Sequence, residues 1–531
     1  MSSTVCRRRL GRVFLGLVLA VSCVAASPAA DAPIAADVLL KGGTIYEGSG
    51  AAATVGDVAL RDGKIAAVGK CAVAPATRVI DCAKLVVAPG FIDLHTHCNP
   101  VGSTEIRRNL NYLTQGCTTV VTGSCGGGAF DVAAYFQKID QQGSGTNVIH
   151  LVPHGAVRQK AMGGDNRAPT DEELQRMQEL VDRGMRDGAC GMSTRLIYAP
   201  GMFAKTDELI ALTKVVARHG GLYVSHIRGE GSGLIGSVQE ALKIGRAAGA
   251  PVHISHLKAA TQSPKGLLRA AAKLIEEARA GGLTVTADQY PYTASSTSIT
   301  ATLFPATEIP GGLKDFARRI QSDPDFERSV RQIVQRRLGD RPRIVLASCK
   351  HHPQWVGKDL ADIAAELKVD LPAAAIRIQV DGGASVVRFA MSEEDVRFGM
   401  TRPWVATGSD GGSQVPNPAS RPHQRSFGTF PRKIGLYAQK EHVLPLAQAI
   451  RSATGLPADI LKLTNRGYLR PGYIADIVVF DPATFIDRAT FEQPQQYAAG
   501  VRWLIIAGKA AIDDGKPSKQ FYGRPIHYPG R

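Results

Sequence analysis

Seven residues spread along the chain share one property: each can bind a metal or move a proton, and each follows a short apolar run. His95 and His97 stand two apart at the end of Pro89-Gly90-Phe91-Ile92-Asp93-Leu94-His95-Thr96-His97. A β-strand sends residues i and i+2 to one face, so both imidazoles would point beyond the strand's end, an arrangement suited to a metal. Cys125 lies in Gly123-Ser124-Cys125-Gly126-Gly127-Gly128, where the glycines let backbone and substrate approach closely. His154, His226, His256 and Asp410 complete the set. Cys125, His226 and His256 are the best ligands for a tightly held zinc: one thiolate and two neutral imidazoles leave a fourth position for water. Zinc there would lower the pKa of that water toward about 7 and polarise a carbonyl. Asp410, in Gly408-Ser409-Asp410-Gly411, can take the water's proton and pass it to a leaving nitrogen. Singly, each residue has a plainer reading: Cys125 as a buried small side chain, Asp410 as a turn-forming Asp-Gly, the histidines as hydrogen-bonded structural groups. Placement of the whole set at strand ends argues against all of these together.

The elements that must position them follow from periodicity. Apolar runs at Phe91–His97, Thr118–Cys125, Val148–His154, Gly191–Leu196, Leu222–His226, Val252–His256, Leu283–Asp288 and Trp404–Asp410 read as strands, with amphipathic helices between them. Thr170-Asp171-Glu172-Glu173 is a capping box, and Thr206-Asp207-Glu208 opens a second helix that stops at Gly220-Gly221. Eight β/α units imply an α/β fold, a (β/α)8 barrel, whose catalytic groups belong at the C-terminal ends of the strands. Ala36 to Ala88 instead reads as short alternating strands, with Asp62-Gly63 as a hairpin turn. Tyr473–Phe480 and Val501–Lys509 look alike, so a small β-sandwich domain is expected from both ends of the chain. The expected divisions are a signal peptide over 1–30, β domain over 31–88 and 466–531, and barrel over 89–465 with an inserted subdomain at about 300–343.

Composition narrows the class. The chain is 44% hydrophobic and 21% charged, which describes an ordinary globular protein. Its formal charge of +16 includes Arg7, Arg8, Arg9 and Arg12 in the leader, and the rest is dispersed. No basic run with interleaved aromatics argues for nucleic-acid binding. The arginine cluster, the apolar run Val13–Val21 and the small residues through Ala30 read as a secretory signal, too short for a membrane span. An exported, periplasmic protein is expected. A lipid anchor at Cys23 rests on a poor motif, Ala20-Val21-Ser22-Cys23, and the Arg7-Arg8 pair leaves twin-arginine export open. Without Cys6 and Cys23 seven cysteines remain, an odd number; Cys71 and Cys82 could pair in an oxidising compartment.

These motifs carry a resemblance. Pro-Gly-Phe-Ile-Asp-x-His-x-His, the split β domain and the barrel resemble the amidohydrolase superfamily. Gly-Ser-Cys-Gly, Ser225-His226-Ile227-Arg228, Ile254-Ser255-His256-Leu257-Lys258, Asp288-Gln289-Tyr290-Pro291-Tyr292 and Gly428-Thr429-Phe430-Pro431-Arg432 resemble the D-aminoacylases, the N-acyl-D-amino-acid deacylases. The resemblance implies hydrolysis of a small N-acyl-D-amino acid to a carboxylate and a free D-amino acid. It implies one tight Zn2+ on Cys125, His226 and His256, a second, weaker position at His95 and His97, and Asp410 as acid and base. It assigns Lys258, Tyr290, Ser296 and Arg425 to the substrate's α-carboxylate, and His154 is counted with the substrate-binding residues. Three positions depart from the family pattern: Cys98 stands where an acidic residue is usual, Arg195 where glycine is usual, and extra residues before Pro422-His423-Gln424-Arg425 leave Arg421 as a competitor for Arg425. A binuclear cyclic amidase or dipeptidase of the same superfamily is the enzymatic alternative, though the fourth strand carries no lysine to bridge two metals. A non-catalytic exported binding protein is the alternative outside enzymes.

Overall fold

In the computed structural model, which describes residues 33–528 apart from 76, 261–265, 306–311 and 340–342, eight short strands run parallel to their neighbours. They are Phe91–Asp93, Cys117–Thr122, Asn147–His150 continued by Val152–Pro153, Gly191–Arg195, Leu222–His226, Val252–Ile254, Val285–Gln289 and Val405–Thr407. Each pairs with the next in sequence. A parallel bridge between Thr96 and Gly411 brings the last back to the first. Helices lie between successive strands, so this mixed α/β arrangement is consistent with a barrel. The expected leader over 1–30, with Cys6 and Cys23, lies outside the described residues. No helix among the described residues is long and apolar enough to cross a membrane.

Local chemistry explains the pieces. Helix Asp171–Arg186 opens with the expected capping box: Thr170 Oγ1 accepts from the Glu173 amide at 3.3 Å, and the Glu173 carboxylate accepts from the Thr170 amide at 2.8 Å. Its buried residues Met177, Val181, Gly184 and Met185 recur at helical spacing on one face. Helix Thr206–Arg218 starts where expected, but without a side-chain cap. Thr206 Oγ1 donates instead to Glu240, and Glu208 turns inward.

Both ends of the chain build one nine-stranded sheet. Strand Val86–Pro89 pairs antiparallel with Ile477–Phe480, which joins the N-terminal strands to the C-terminal ones. Strands Thr54–Arg61 and Lys64–Gly69 are joined at Asp62-Gly63, with φ of 51° and 75°, the positive pair that a tight hairpin turn needs. Leu40, Val58, Ile65, Ile477 and Val479 form its core. Phe91 ties this unit to the parallel strands: fully buried, it stacks on Phe430 at 5.6 Å and meets Phe480 and Phe485. Burial of such a ring contributes about 1.5–3 kcal/mol. It also anchors helix Arg425–Pro431, which carries Arg425 toward the strand ends.

Two expectations need correction. The extra structure between the seventh and eighth strands is larger than 300–343: it includes an antiparallel sheet of Ala294–Ser298, Ser385–Phe389 and Ile344–Ser348. A separate core contains Ile299, Phe316, Val334, Trp355 and Ile378. Ala294-Ser295-Ser296-Thr297-Ser298 has too few apolar residues to read as a strand, and its partner lies far along the chain. The parallel strands are also shorter than expected, ending before His97, Cys125, His256 and Asp410. Cys71 and Cys82 are both free thiols.

Candidate metal centre and active site

Cys125, His256 and Asp410 lie beyond their strands with φ of 50°, 37° and 51°. Left-handed backbone at a non-glycine residue is uncommon and costs free energy. Here three such residues aim their side chains at one point. The loop around Cys125 depends on glycine: a Cβ on Gly123, at φ 75°, would sit 2.3 Å from the Leu151 carbonyl oxygen. His95 and His97 converge from an extended segment past the first strand, ring centres 5.7 Å apart, pinned by the Thr96 amide on Val121 and the His97 amide on Gly411.

The donors suit a metal. Cys125 Sγ lies 3.6 Å from His226 Nδ1 and 3.8 Å from His256 Nε2. A zinc tetrahedron with ordinary bond lengths has S···N edges of about 3.6 Å. His226 Nδ1 and His256 Nε2 are 2.9 Å apart. Cys125 Sγ is also 3.2 Å from His95 Nε2. Three groups could each hold an ion: Cys125 with His226 and His256, Cys125 with His95 and His97, and His95 with His256 and Asp410. Burial opposes a charge on Cys125, but His95 beside it and hydrogen bonds from His226 and His256 hold the thiol well below its usual range. That favours the thiolate, the form a metal needs.

Asp410 is buried beside this cluster. His97 Nε2 lies 2.9 Å from its Oδ1, and Arg425 Nη1 lies 2.8 Å from its Oδ2, an ion pair without hydrogen-bond alignment. Burial raises its pKa, but Arg425, then His256 and His95, hold the carboxyl well below the usual carboxylate range. Arg425 spans from Asp410 toward Ser296, its Nη2 3.4 Å from the Ser296 carbonyl oxygen. Arg421 is elsewhere, its amide on the Ala347 carbonyl. The Tyr290 ring lies under both Arg425 and Lys258, at 4.8 Å and 5.6 Å, and its buried hydroxyl has no partner. A cavity of about 370 Å³ is lined by His97, Cys125, His226, His256, Asp410 and Arg425, with Arg195, Tyr198 and Ser296–Ser298 closing it. That volume suits a small molecule.

Lys258 and Tyr290 adjoin His256 and Arg425 without lining that cavity, and His154 is not gathered here at all. His154 opens helix His154–Met162, fully buried, and its Nε2 pairs with Glu208 at 2.9 Å, away from the cavity. The same carboxylate takes Arg158 at 2.5 Å, so His154 is hydrogen-bonded to a buried Arg158–Glu208 ion pair. A strand's end places a residue near the centre without deciding where its side chain turns.

Two carboxylates join the site without having been singled out as ligand supports. Glu230 accepts from Lys258 Nζ at 2.6 Å and lies 2.9 Å from His256 Nδ1. Burial raises its pKa, but Lys258 and His256 hold it below the usual range. Asp288 is fully buried; its Oδ1 accepts the His256 amide at 2.9 Å, and its Oδ2 lies 2.9 Å from His253 Nε2. Both oxygens sit 3.2 Å from His95 Nδ1. Such carboxylates fix the tautomer and orientation of metal-binding imidazoles. Asp288 was readable as a strand's last acid; Glu230 left no periodic signal because it lies in a loop.

Known proteins share this architecture. Residues 78–512 match the amidohydrolase family. The D-aminoacylase of Alcaligenes xylosoxydans xylosoxydans is 34% identical, aligned over 92% of this chain and 97% of its own. A solved D-aminoacylase structure superposes with a TM-score of 0.79 at 33% identity, over 92% of this chain and 99% of that one. The N-acyl-D-glutamate deacylase of Bordetella bronchiseptica, solved with zinc and a phosphonate inhibitor that mimics the tetrahedral intermediate of its reaction, gives 0.77 at 34% identity. It covers 93% of this chain and 100% of its own.

Proposed function

This chain belongs to the D-aminoacylase family of amidohydrolases and is a hydrolase acting on amide bonds, and on that premise we propose that it hydrolyses N-acyl-D-amino acids with zinc held by Cys125, His226 and His256. The products are a carboxylate and a free D-amino acid. The observation that carries the reading is one thiolate at the S···N edge lengths of a zinc tetrahedron from two imidazoles, beside an arginine-clamped carboxylate. When bound, zinc supplies Lewis acidity toward the amide carbonyl and lowers the pKa of water. His95 and His97, which share Cys125 as a neighbour, make a second, weaker position.

Asp410 is the acid and base. His97 and Arg425 hold its two oxygens, so its lone pairs have a fixed direction across the cavity. It accepts a proton from the attacking water and delivers it to the departing nitrogen. Arg425 couples binding to that role. A substrate α-carboxylate that engages Arg425 weakens the ion pair that keeps Asp410 a poor base, and its basicity rises when substrate is present. Tyr290 offers the α-carboxylate a hydroxyl donor with no other partner, Ser296 adds a second, and Lys258, steadied by Glu230, adds charge. A binuclear centre bridged by a carboxylated lysine is not favoured, because strand Gly191–Arg195 has no lysine.

The same reading divides the chain into a leader over 1–30, a β domain over 31–88 and 466–531, and a metal-dependent (β/α)8 barrel over 89–465. The protein is then exported to the periplasm, and N-terminal sequencing of the mature form should begin just after Ala26 or Ala30. For the activity, amine release is measured from matched N-acetyl-D- and N-acetyl-L-amino acids with and without a zinc chelator. Chelator-sensitive release from the D series alone is expected. Equal rates on both enantiomers overturn the stereochemical claim, and full activity after complete removal of metal overturns the zinc claim.

A further inference from the structure

We propose that Arg195 receives a second carboxylate of the substrate, carried on the amino-acid side chain, so that substrates of the aspartate and glutamate class are preferred. This rests on the deacylase reading above and names the substrate class of the same cavity. Arg195 ends the fourth parallel strand, in register with His226 on the fifth. Its side chain lines the cavity that holds Cys125, His256 and Asp410. The guanidinium carbon stands 4.6 Å from the centre of the Tyr198 ring. Nη1 reaches toward Gly127, to 3.9 Å from where a Cβ would be.

What sets Arg195 apart is its lack of a counter-charge. Lys258 has Glu230 at 2.6 Å and Arg425 has Asp410 at 2.8 Å. Among the described residues no carboxylate pairs with Arg195, and no hydrogen bond engages its guanidinium; its one charge-related contact is the face of Tyr198. Tyr198 is itself held by its hydroxyl on Thr297 Oγ1 and by its edge against His226. The result is a half-buried cation stacked on an aromatic face with its donor fork free, the geometry that recognises a carboxylate through two hydrogen bonds.

The path through the cavity says which part of the substrate reaches it. Ser296 and Arg425 mark the α-carboxylate end. Thr297 lines the same cavity as Ser296, its hydroxyl meets Tyr198, and Tyr198 lies under Arg195. A side chain leaving Cα beside Ser296 is therefore led along Thr297 and Tyr198 to the guanidinium.

The test compares N-acetyl-D-glutamate with N-acetyl-D-glutamine, its neutral near-isostere, on the zinc-loaded full chain. A second pair, N-succinyl-D-glutamine against N-acetyl-D-glutamine, puts the extra carboxylate on the acyl end. Wild type should favour glutamate over glutamine in kcat/KM by about tenfold or more, the size of one charge-assisted pair. Arg195→Met should bring that ratio to within about twofold of one, with Arg195→Lys between, while the succinyl pair stays near parity throughout. A wild-type ratio near one, or a glutamate preference that survives in Arg195→Met, overturns the proposal. A succinyl preference that Arg195→Met removes overturns its side-chain placement. Calorimetric binding of the first pair to Asp410→Asn, with and without Arg195→Met, gives the same ratio without turnover. If no acyl amino acid is hydrolysed, the deacylase reading fails and the binding ratio still decides the role of Arg195.

Discussion

Replacing Asp410 with asparagine separates its chemistry from its place in the site. Asparagine keeps the size of the side chain and one oxygen acceptor but cannot accept or release the proton. The carboxylate is buried at 7% exposure, with His97 Nε2 2.9 Å from one oxygen and Arg425 Nη1 2.8 Å from the other. General acid–base catalysis is worth about 10²–10⁴ in rate, or about 3–5 kcal/mol of barrier. In the proposed mechanism Asp410 serves both proton transfers, so the loss should lie at the upper end, near 10⁴ in kcat. The tight zinc should remain, because its proposed ligands Cys125, His226 and His256 form a donor group without Asp410. KM should not rise, since Arg425, freed of its partner, stays available to the α-carboxylate. The assay is steady-state amine release, with metal counted per chain on the same preparation and a melting curve to establish the fold. A kcat within tenfold of wild type at full zinc occupancy would refute the acid–base role. Loss of most of the zinc would instead make Asp410 a ligand.

Other residues test the supports around the site. Glu230→Gln removes the carboxylate that orients His256 and pairs Lys258, and should cost about 10–100-fold in zinc affinity or activity; chelator competition reads the affinity, and an unchanged constant with unchanged turnover would dismiss this role. Glu208→Gln leaves Arg158 buried without its counter-charge and should destabilise the fold by about 3–5 kcal/mol in urea unfolding. The folded variant should keep its kcat, because His154 and Glu208 lie outside the cavity; a loss under about 1 kcal/mol would mean that the pair is relaxed or hydrated. Burial pushes His150 down to about 4 and His423 down to about 3. The unfolded chain binds those protons near pH 6.5, so stability is fully present above that pH and falls as the pH drops toward 4. Each histidine should cost about 2 kcal/mol by pH 5. Unfolding curves at pH 7, 6 and 5 should show the decline, and His150→Gln should flatten it; an identical slope in the variant would place the loss elsewhere.

Much of the architecture was legible because it is written in local pattern. Short β-branched runs followed by helical repeats located the parallel strands, Thr170 and Glu173 located a helix start, and Asp62-Gly63 located a hairpin. The extra sheet after the seventh strand was not legible. Its edge strand Ala294–Ser298 is mostly serine and threonine, and the partner of that strand lies 87–95 residues away in the same segment.

The residues by themselves determined the chemistry available: a thiol, several imidazoles and a carboxylate at the ends of apolar strands can do little else as a set than bind a metal and move a proton. Tertiary structure decided which of them meet. The Thr96–Gly411 bridge closes the first strand on the last and brings His97 onto Asp410. Left-handed backbone at Cys125, His256 and Asp410 turns three side chains inward, while His154, from a similar position, turns away to Glu208. Glu230 and Asp288 acquire meaning only through the imidazoles they face, and Arg195 only through the missing counter-charge. The physical reason is range. Periodicity and capping act over a few residues and can be read along the chain, whereas a side chain's direction, its counter-charge and its solvation depend on groups that folding brings from hundreds of residues away.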